Sequence, residues 1–322
     1  MEIGSFIELQ FDKGREHFKG EKNVARLNTG RAAIYHAFRL SNCNSIWLPI
    51  YQCDTVRDFL KAKNVAINYY HINQKFDPID LNQKDDEAVL LVNYYGIMSK
   101  TRMKNLASKY KNVIIDNSQA FFCEPIDDCL NVYSCRKFMG VPDGAYVIGN
   151  NAEKYLDEYD QGFSSDTSSF LLQRIEYGCE GKAYESRSIN ERRIDSEDIM
   201  KMSKLTRTIL DGTDYEFIKS KRIQNFKISC SLFSEINKID PLIYFDDKTI
   251  PMVYPLVVED DELINRLQKS KHFQGHWWSY LLKETEVSDF ENWISRYVIP
   301  ITIDQRYGKE ELDYINSVIR GR

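Results

Sequence analysis

The run Glu87-Ala-Val-Leu-Leu-Val is apolar at its last five positions and closes in Asn93-Tyr94-Tyr95-Gly96. A strand with an apolar side chain at every position must be covered on both faces, which is the situation of a parallel sheet sandwiched between helices. Asn112-Val-Ile-Ile-Asp repeats the pattern, and Ser45–Leu48, Ala66–His71, Val132–Tyr133 and Ala145–Ile148 read as further strands. Helical segments fall between them. Asn28 and Thr29 are good cap residues ahead of a stripe formed by Ala32, Ala33, Ala37 and Phe38. Asp54 or Thr55 starts a second helix reaching about Lys63, and Thr101 to Tyr110 forms a third. This alternation over 23–150 predicts an α/β unit with a largely parallel sheet.

After Asn150 the rhythm changes. Ala152 to Gln161, Ser168 to Tyr177, Asp198 to Leu210 and Tyr215 to Lys238 read as helices. Ile250 to Val258 and Tyr297 to Ile301 read as strands, with helices at Asp261 to Ser270 and Lys309 to Ile319. Gly212 interrupts the helical pattern, so the expected division is a large domain over 1–212 and a small α+β domain over 213–322. Residues 1–22 read as a surface lead-in.

A net charge of −5 leaves no electrostatic footprint for nucleic acid or an anionic membrane. The first residues lack a basic region followed by an apolar run, so no signal peptide is expected, and no stretch has the roughly 18 apolar residues of a membrane helix. Seven scattered cysteines without a Cys-x-x-Cys pair read as reduced thiols of a cytoplasmic protein. His272 and His276 have helical spacing suited to a metal, but Gly275 and the lack of a nearby carboxylate argue against one, so no metal is expected.

In parallel sheets ligands collect where the strands end at their carboxyl termini, which is where Tyr51, Asn93, Asp116 and Gln119 fall. Thr29-Gly30-Arg31 at a helix start offers free amides, the positive dipole end and a guanidinium, a cradle for phosphate or merely a capped helix. Lys137 sits in a turn between two apolar runs, followed by Gly140 and Asp143-Gly144. It is placed either as a Schiff-base lysine or as a surface lysine of a hairpin. Asp304-Gln-Arg306 is a surface turn, or presents Arg306 to a carboxylate or diphosphate.

Taken in order, Asn28–Ala33, Leu48–Thr55, Val92-Asn93-Tyr94-Tyr95-Gly96, Asp116-Asn117-Ser118-Gln119 and Ser134-Cys135-Arg136-Lys137 resemble the motif series of the DegT/StrS sugar aminotransferases. These are fold-type-I enzymes using pyridoxal phosphate. The resemblance covers most of 23–150. It implies a large domain with a mostly parallel, seven-stranded mixed sheet between helices, plus a small C-terminal domain. It also implies that Lys137 carries the cofactor and moves the α-proton. Asp116 would pair with the ring nitrogen and Gln119 would lie against the ring. Ser134 and the Gly30, Arg31 and Ala32 helix start would bind the phosphate. Tyr51 or the aligned Cys53 would stand where the family stacks an aromatic ring. Asn93, Tyr94, Tyr95 and Arg306 are the candidate substrate contacts. The activity implied is transfer of an amino group, with glutamate as donor, to a nucleotide-linked keto-deoxysugar for surface polysaccharide or a glycosylated product, by a homodimer. The alternative is a vestigial member that binds a sugar nucleotide or a partner without catalysis. The turn between Ser134 and Lys137 is two residues shorter than the family's, and no counterpart of its partner-subunit asparagine precedes Lys201-Met-Ser203.

Overall fold

The computed structural model describes residues 5–321; residues 1–4 of the expected lead-in and signal-free N-terminus lie outside them, as does residue 322. In chain order the elements are β1 (Val24–Leu27), α1 (Gly30–Ser41), β2 (Ser45–Pro49), α2 (Asp54–Ala62), β3 (Ala66–Ile72), β4 (Pro78–Ile79), β5 (Glu87–Val92), α3 (Lys100–Ala107), β6 (Val113–Asp116), β7 (Leu130–Ser134) and β8 (Ala145–Ile148). There follow α4 (Ser169–Tyr177), α5 (Lys182–Ser196), α6 (Lys204–Asp211), α7 (Tyr215–Phe233), β9 (Val253–Val257), α8 (Leu263–Lys269), α9 (Asp289–Tyr297), β10 (Val298–Thr302) and α10 (Lys309–Ile319).

The first eight strands form one mixed sheet in the order β1-β8-β7-β6-β5-β2-β3-β4. From β3 through β2, β5 and β6 to β7 every neighbouring pair is parallel, while β8 pairs antiparallel with both β7 and β1. The expected seven strands are thus present, and the eighth is the two-residue edge strand β4 on β3. The apolar run of β5 divides as a doubly covered strand must: Ala88 and Leu90 join one core with Leu48 and Ile114, and Val89 and Leu91 join the other with Ile115 and Tyr254. Alternation continues in β8, where Ala145 and Val147 share the first core and Tyr146 and Ile148 pack with Phe18 and Tyr133 in a third.

Two expected helices differ. Ala152 to Gln161 is turns and one 3-10 turn, because Asn151 and Tyr155 take left-handed φ values of 58° and 72°, which no α-helix carries. Tyr155 and Tyr159 instead wrap α1, where Tyr159 hydroxyl sits 2.8 Å from His36 Nδ1 and the Arg39 guanidinium lies 4.1 Å from the Tyr155 ring. The helix expected from Asp198 begins only at Lys204, where Ser203 caps α6 by accepting from the Thr206 amide. Before it, Lys201 forms isolated bridges to Leu27 and Gln161. The C-terminal part carries β9 and β10 as an antiparallel pair, and the long α7 packs on β9 and α10. Among the described residues no helix is long and apolar enough to cross a membrane.

Candidate active site

The carboxyl ends of β6 and β7 meet the start of α1. Thr29 Oγ1 accepts the Ala32 amide at 3.2 Å, so that amide is used by the cap. The Gly30 and Arg31 amides donate to nothing among the described residues and remain as the positive end of the helix. A Cβ built on Gly30 would stand 3.3 Å from Ser118 Oγ and 3.8 Å from Ser134 Cβ. The helix start, the Ser118 side chain and Ser134 therefore meet at one point, and glycine keeps that point open. Ser118 belongs to this group although the motif comparison did not single it out; its place two residues past Asp116 was the available signal. The Arg31 guanidinium turns away, donating to Asp195 at 2.9 Å and to the Ile194 carbonyl, and stacking 5.6 Å from Phe59.

Asp116 ends β6 and is buried. Its Oδ1 accepts the Ser118 amide at 2.8 Å, while its other oxygen has no hydrogen-bond partner among the described residues. Gln119 works as a strut: its Oε1 accepts the Tyr95 amide at 2.6 Å, which helps hold Tyr95 at a left-handed φ of 58°. The next residue must be glycine. Gly96 has φ 71°, and a Cβ there would come 2.2 Å from the Gln119 carbonyl oxygen.

Tyr51, Asn93, Tyr94 and Tyr95 do stand at strand ends, but all four are fully buried rather than lining a mouth. The Tyr51 and Tyr95 hydroxyls are 2.5 Å apart, Tyr94 hydroxyl donates to the Tyr51 carbonyl at 2.9 Å, and Trp278 meets Tyr51 edge-on at 4.5 Å. Asn93 Nδ2 donates to the Met98 carbonyl at 3.1 Å. The tyrosines belong to the core that joins the sheet to β9 and α9. Cys53 is half-buried ahead of α2, its Sγ 3.1 Å from Thr55 Oγ1.

Lys137 lies in the turn after β7, where the Cys135 carbonyl accepts the amides of Phe138 and Met139. Its side chain is exposed and lines an open cavity of about 1130 Å³ walled by this turn, α4, α5, α7 and the segment 302–307. Gly30, Tyr51, Asp116, Gln119 and Ser134 do not line that cavity. The structure thus joins Gly30, Ser118 and Ser134 in one cluster and sets Lys137, three residues beyond Ser134, in a neighbouring space. The cavity wall holds seven Lys or Arg side chains against three carboxylates. Arg306 is among them, fastened to Asp304 by bonds of 2.9 and 2.7 Å. His272 adds no charge near neutral pH, since burial pushes its pKa down to about 4. Among the described residues no three His, Cys, Asp or Glu side chains group as metal ligands.

No protein-family model matches the chain, and no curated protein matches it by sequence. Solved structures do. A DegT DnrJ EryC1 StrS aminotransferase from Brucella abortus superposes with a TM-score of 0.63 at 12% identity, over 94% of this chain and 87% of that one. The chain has the sugar-aminotransferase fold. The sugar aminotransferase CalS13 from Micromonospora echinospora shares this fold with a TM-score of 0.61 at 14% identity, over 94% and 88% of the two chains. So does the E. coli GDP-4-keto-6-deoxy-D-mannose-3-dehydratase, solved with bound hydrated PLP, at a TM-score of 0.60 and 12% identity over 93% and 88%. This fold therefore spans 94% of the chain, and the sheet order above is its arrangement in this protein.

Proposed function

We propose that the protein is a pyridoxal-phosphate-dependent aminotransferase that passes an amino group from glutamate to a nucleotide-linked keto-deoxysugar. The observation that carries this reading is the meeting of the uncapped Gly30 and Arg31 amides with Ser118 and Ser134 beside a buried carboxylate. The helix start, the two serines and Asp116 fit the cofactor, and Lys137, in the neighbouring space, is the amine that the family resemblance assigns to it. A helix start with two free amides and two serines suits a phosphate group. The unpartnered oxygen of Asp116 suits a ring N–H, and a carboxylate there keeps that nitrogen protonated. Lys137 supplies the amine. When bound, pyridoxal phosphate takes up the electron pair left as the α-proton departs. Lys137 Nζ is the base that accepts this proton and returns it, and its place in the open cavity leaves it accessible to substrate. The likeness to sugar aminotransferases supports the substrate class, and a role in surface polysaccharide or a glycosylated product, in the cytoplasm, completes the proposal. Division of the chain at residue 212 is part of the same reading.

A homodimer is supported by the apolar face of the α4–α5 hairpin, where Leu172, Ile175, Tyr177 and Tyr184 are all more than half exposed. The second reading, a vestigial binding protein, draws on one observation: Lys137 lines a cavity that Asp116 does not. Borohydride reduction after incubation with pyridoxal phosphate, followed by peptide mapping, separates the two. Label on Lys137 is the expected result. Label on another lysine, or none, overturns the aminotransferase reading. The sugar assignment fails if the amine-loaded protein gives its amine to simple 2-oxo acids and to no nucleotide keto sugar.

A further inference from the structure

Between α8 and the fully buried Leu281, residues 271–280 run over the strand-end tyrosines with no helix or strand before the 3-10 turn at Ser279–Lys283. Trp277 stacks on Tyr95 with ring centroids 5.5 Å apart, and Trp278 meets Tyr51 edge-on at 4.5 Å and Tyr94 at 6.1 Å. The tyrosines are fully buried and the tryptophans half-buried, so the indoles are the outer layer over the Tyr51–Tyr95 hydroxyl pair. Little else ties the segment down. Tyr280 hydroxyl donates to the Gln52 carbonyl at 2.8 Å, Gln274 Nε2 donates to Thr302 Oγ1, and Gln268 Nε2 donates to the Gln274 carbonyl at 2.9 Å. Of the amides from Phe273 to Tyr280, only that of Gln274 finds an acceptor among the described residues.

The closed position is opposed from within. Lys271 and Trp278 take left-handed φ values of 60° and 57°, a conformation disfavoured for side chains of this size. Each of the two histidines holds a buried ring nitrogen without a partner among the described residues, Nε2 of His272 and Nδ1 of His276. Such an atom loses its hydrogen bond to water on closing and regains it on opening. A Cβ built on Gly275 meets nothing within 4 Å, so there is room to move at the middle of the segment. Ring burial holds the segment shut, while backbone strain and unmet hydrogen bonds push it open.

We infer that residues 271–280 form a lid over the Tyr51–Tyr95 hydroxyl pair, with the indoles of Trp277 and Trp278 as its closing face and the Tyr280–Gln52 bond as its latch. Opening uncovers the pair just past the carboxyl ends of β2 and β5, where ligands of a parallel sheet collect. One hydroxyl proton is used between the two oxygens, 2.5 Å apart, and the other finds no acceptor among the described residues. Once uncovered, the pair therefore offers a donor and acceptors to a hydroxyl-bearing ligand. That this ligand is a sugar rests on the aminotransferase reading; the lid itself does not.

Hydrogen–deuterium exchange of the full chain, read by mass spectrometry, tests the lid, and tetranitromethane, which nitrates accessible tyrosines, tests what lies beneath it. The amides of 273–280 should exchange more slowly than those of an unstructured peptide and faster than those of β5, the mark of opening without global unfolding. Tyr280→Phe removes the latch and should speed their exchange about 2-fold to 10-fold, the range of one net hydrogen bond. His272→Leu removes a buried, unpartnered nitrogen and should slow it about 5-fold or more. Nitration of Tyr51 and Tyr95 should follow the lid in both directions, while Tyr133, equally buried in another core, stays unmodified. Lid exchange at the rate of an unstructured peptide, exchange only together with β5, no response to either variant, or nitration of Tyr51 and Tyr95 no faster than that of Tyr133 would each overturn the assignment. If the lid behaves as expected but no pyridoxyl label reaches Lys137, the lid stands and the aminotransferase reading falls. If Lys137 is labelled and Tyr51 and Tyr95 resist nitration as Tyr133 does, the lid alone falls.

Discussion

Replacing Gly96 with alanine tests how tightly the strand ends are locked together. The residue has φ 71°, and its new Cβ would meet the Gln119 carbonyl oxygen at 2.2 Å and the Met252 amide nitrogen at 3.0 Å. Both obstacles are backbone, so neither can rotate aside. A left-handed alanine costs about 1–2 kcal/mol, and forcing a methyl group into filled space adds about 1–3 kcal/mol. The expected loss is therefore about 2–5 kcal/mol. Urea unfolding followed by tryptophan fluorescence reads it as a midpoint lowered by on the order of 1–2 M, given slopes of about 1–3 kcal/mol/M. Gly140→Ala is the control. Its Cβ would meet only a Leu171 methyl at 3.8 Å and its φ is not in the left-handed range, so its effect should stay within about 0.5 kcal/mol. Equal midpoints for the two variants would refute the argument, because they would mean that the Gln119–Tyr95–Gly96 contact gives way at no cost.

Asp116→Asn should fold as well as the parent, since its amide oxygen can still accept the Ser118 amide. It should retain pyridoxal phosphate poorly and lose most amine transfer; retained turnover would remove the carboxylate from the chemistry. Ile175 is 83% exposed on α4, and Ile175→Glu should convert a dimer into a monomer in sedimentation at micromolar concentration. A parent that already sediments as an active monomer would dispose of the interface. Burial lowers the pKa of His17 to about 4, with Lys219 adding to the effect. In the interval between this value and the ordinary one near 6.5 the unfolded chain holds the extra proton, so stability falls as pH drops through that window. His17→Phe should flatten this part of the stability-versus-pH curve, and an unaltered slope would show that other groups set it.

The parallel strands were legible because β5 and β6 are apolar at consecutive positions, a pattern only double coverage explains. Edge strand β4 is two residues long and carries no periodic signal. Ala152 to Gln161 misled because its apolar residues are spaced for a helix, whereas they are used by turns that grip His36 and Arg39. At the site, the strand end at Asp116 and the capped helix start at Thr29 were readable from the residues themselves, whereas Ser134 entered only through the family resemblance. Whether Tyr94 and Tyr95 face solvent or core was not readable, since that depends on β9 and Trp278, which arrive from more than 150 residues away.

Asn28 carries a consequence for the order in which the chain assembles. Its amide and carboxamide oxygen pair with the Met200 backbone, its Nδ2 donates to the Asp198 carbonyl at 2.9 Å, and its own carbonyl accepts the Gly144 amide at 2.6 Å. Asn28 leaves the ribosome well before the Asp198 carbonyl that fastens it, which follows 170 residues later. Closing a loop of that length is entropically costly and slow compared with forming α1 itself. The cradle at the helix start is therefore completed late in folding, and a chain arrested after β8 would hold its serines and Asp116 while Asn28 still waited for residues 198 and 200.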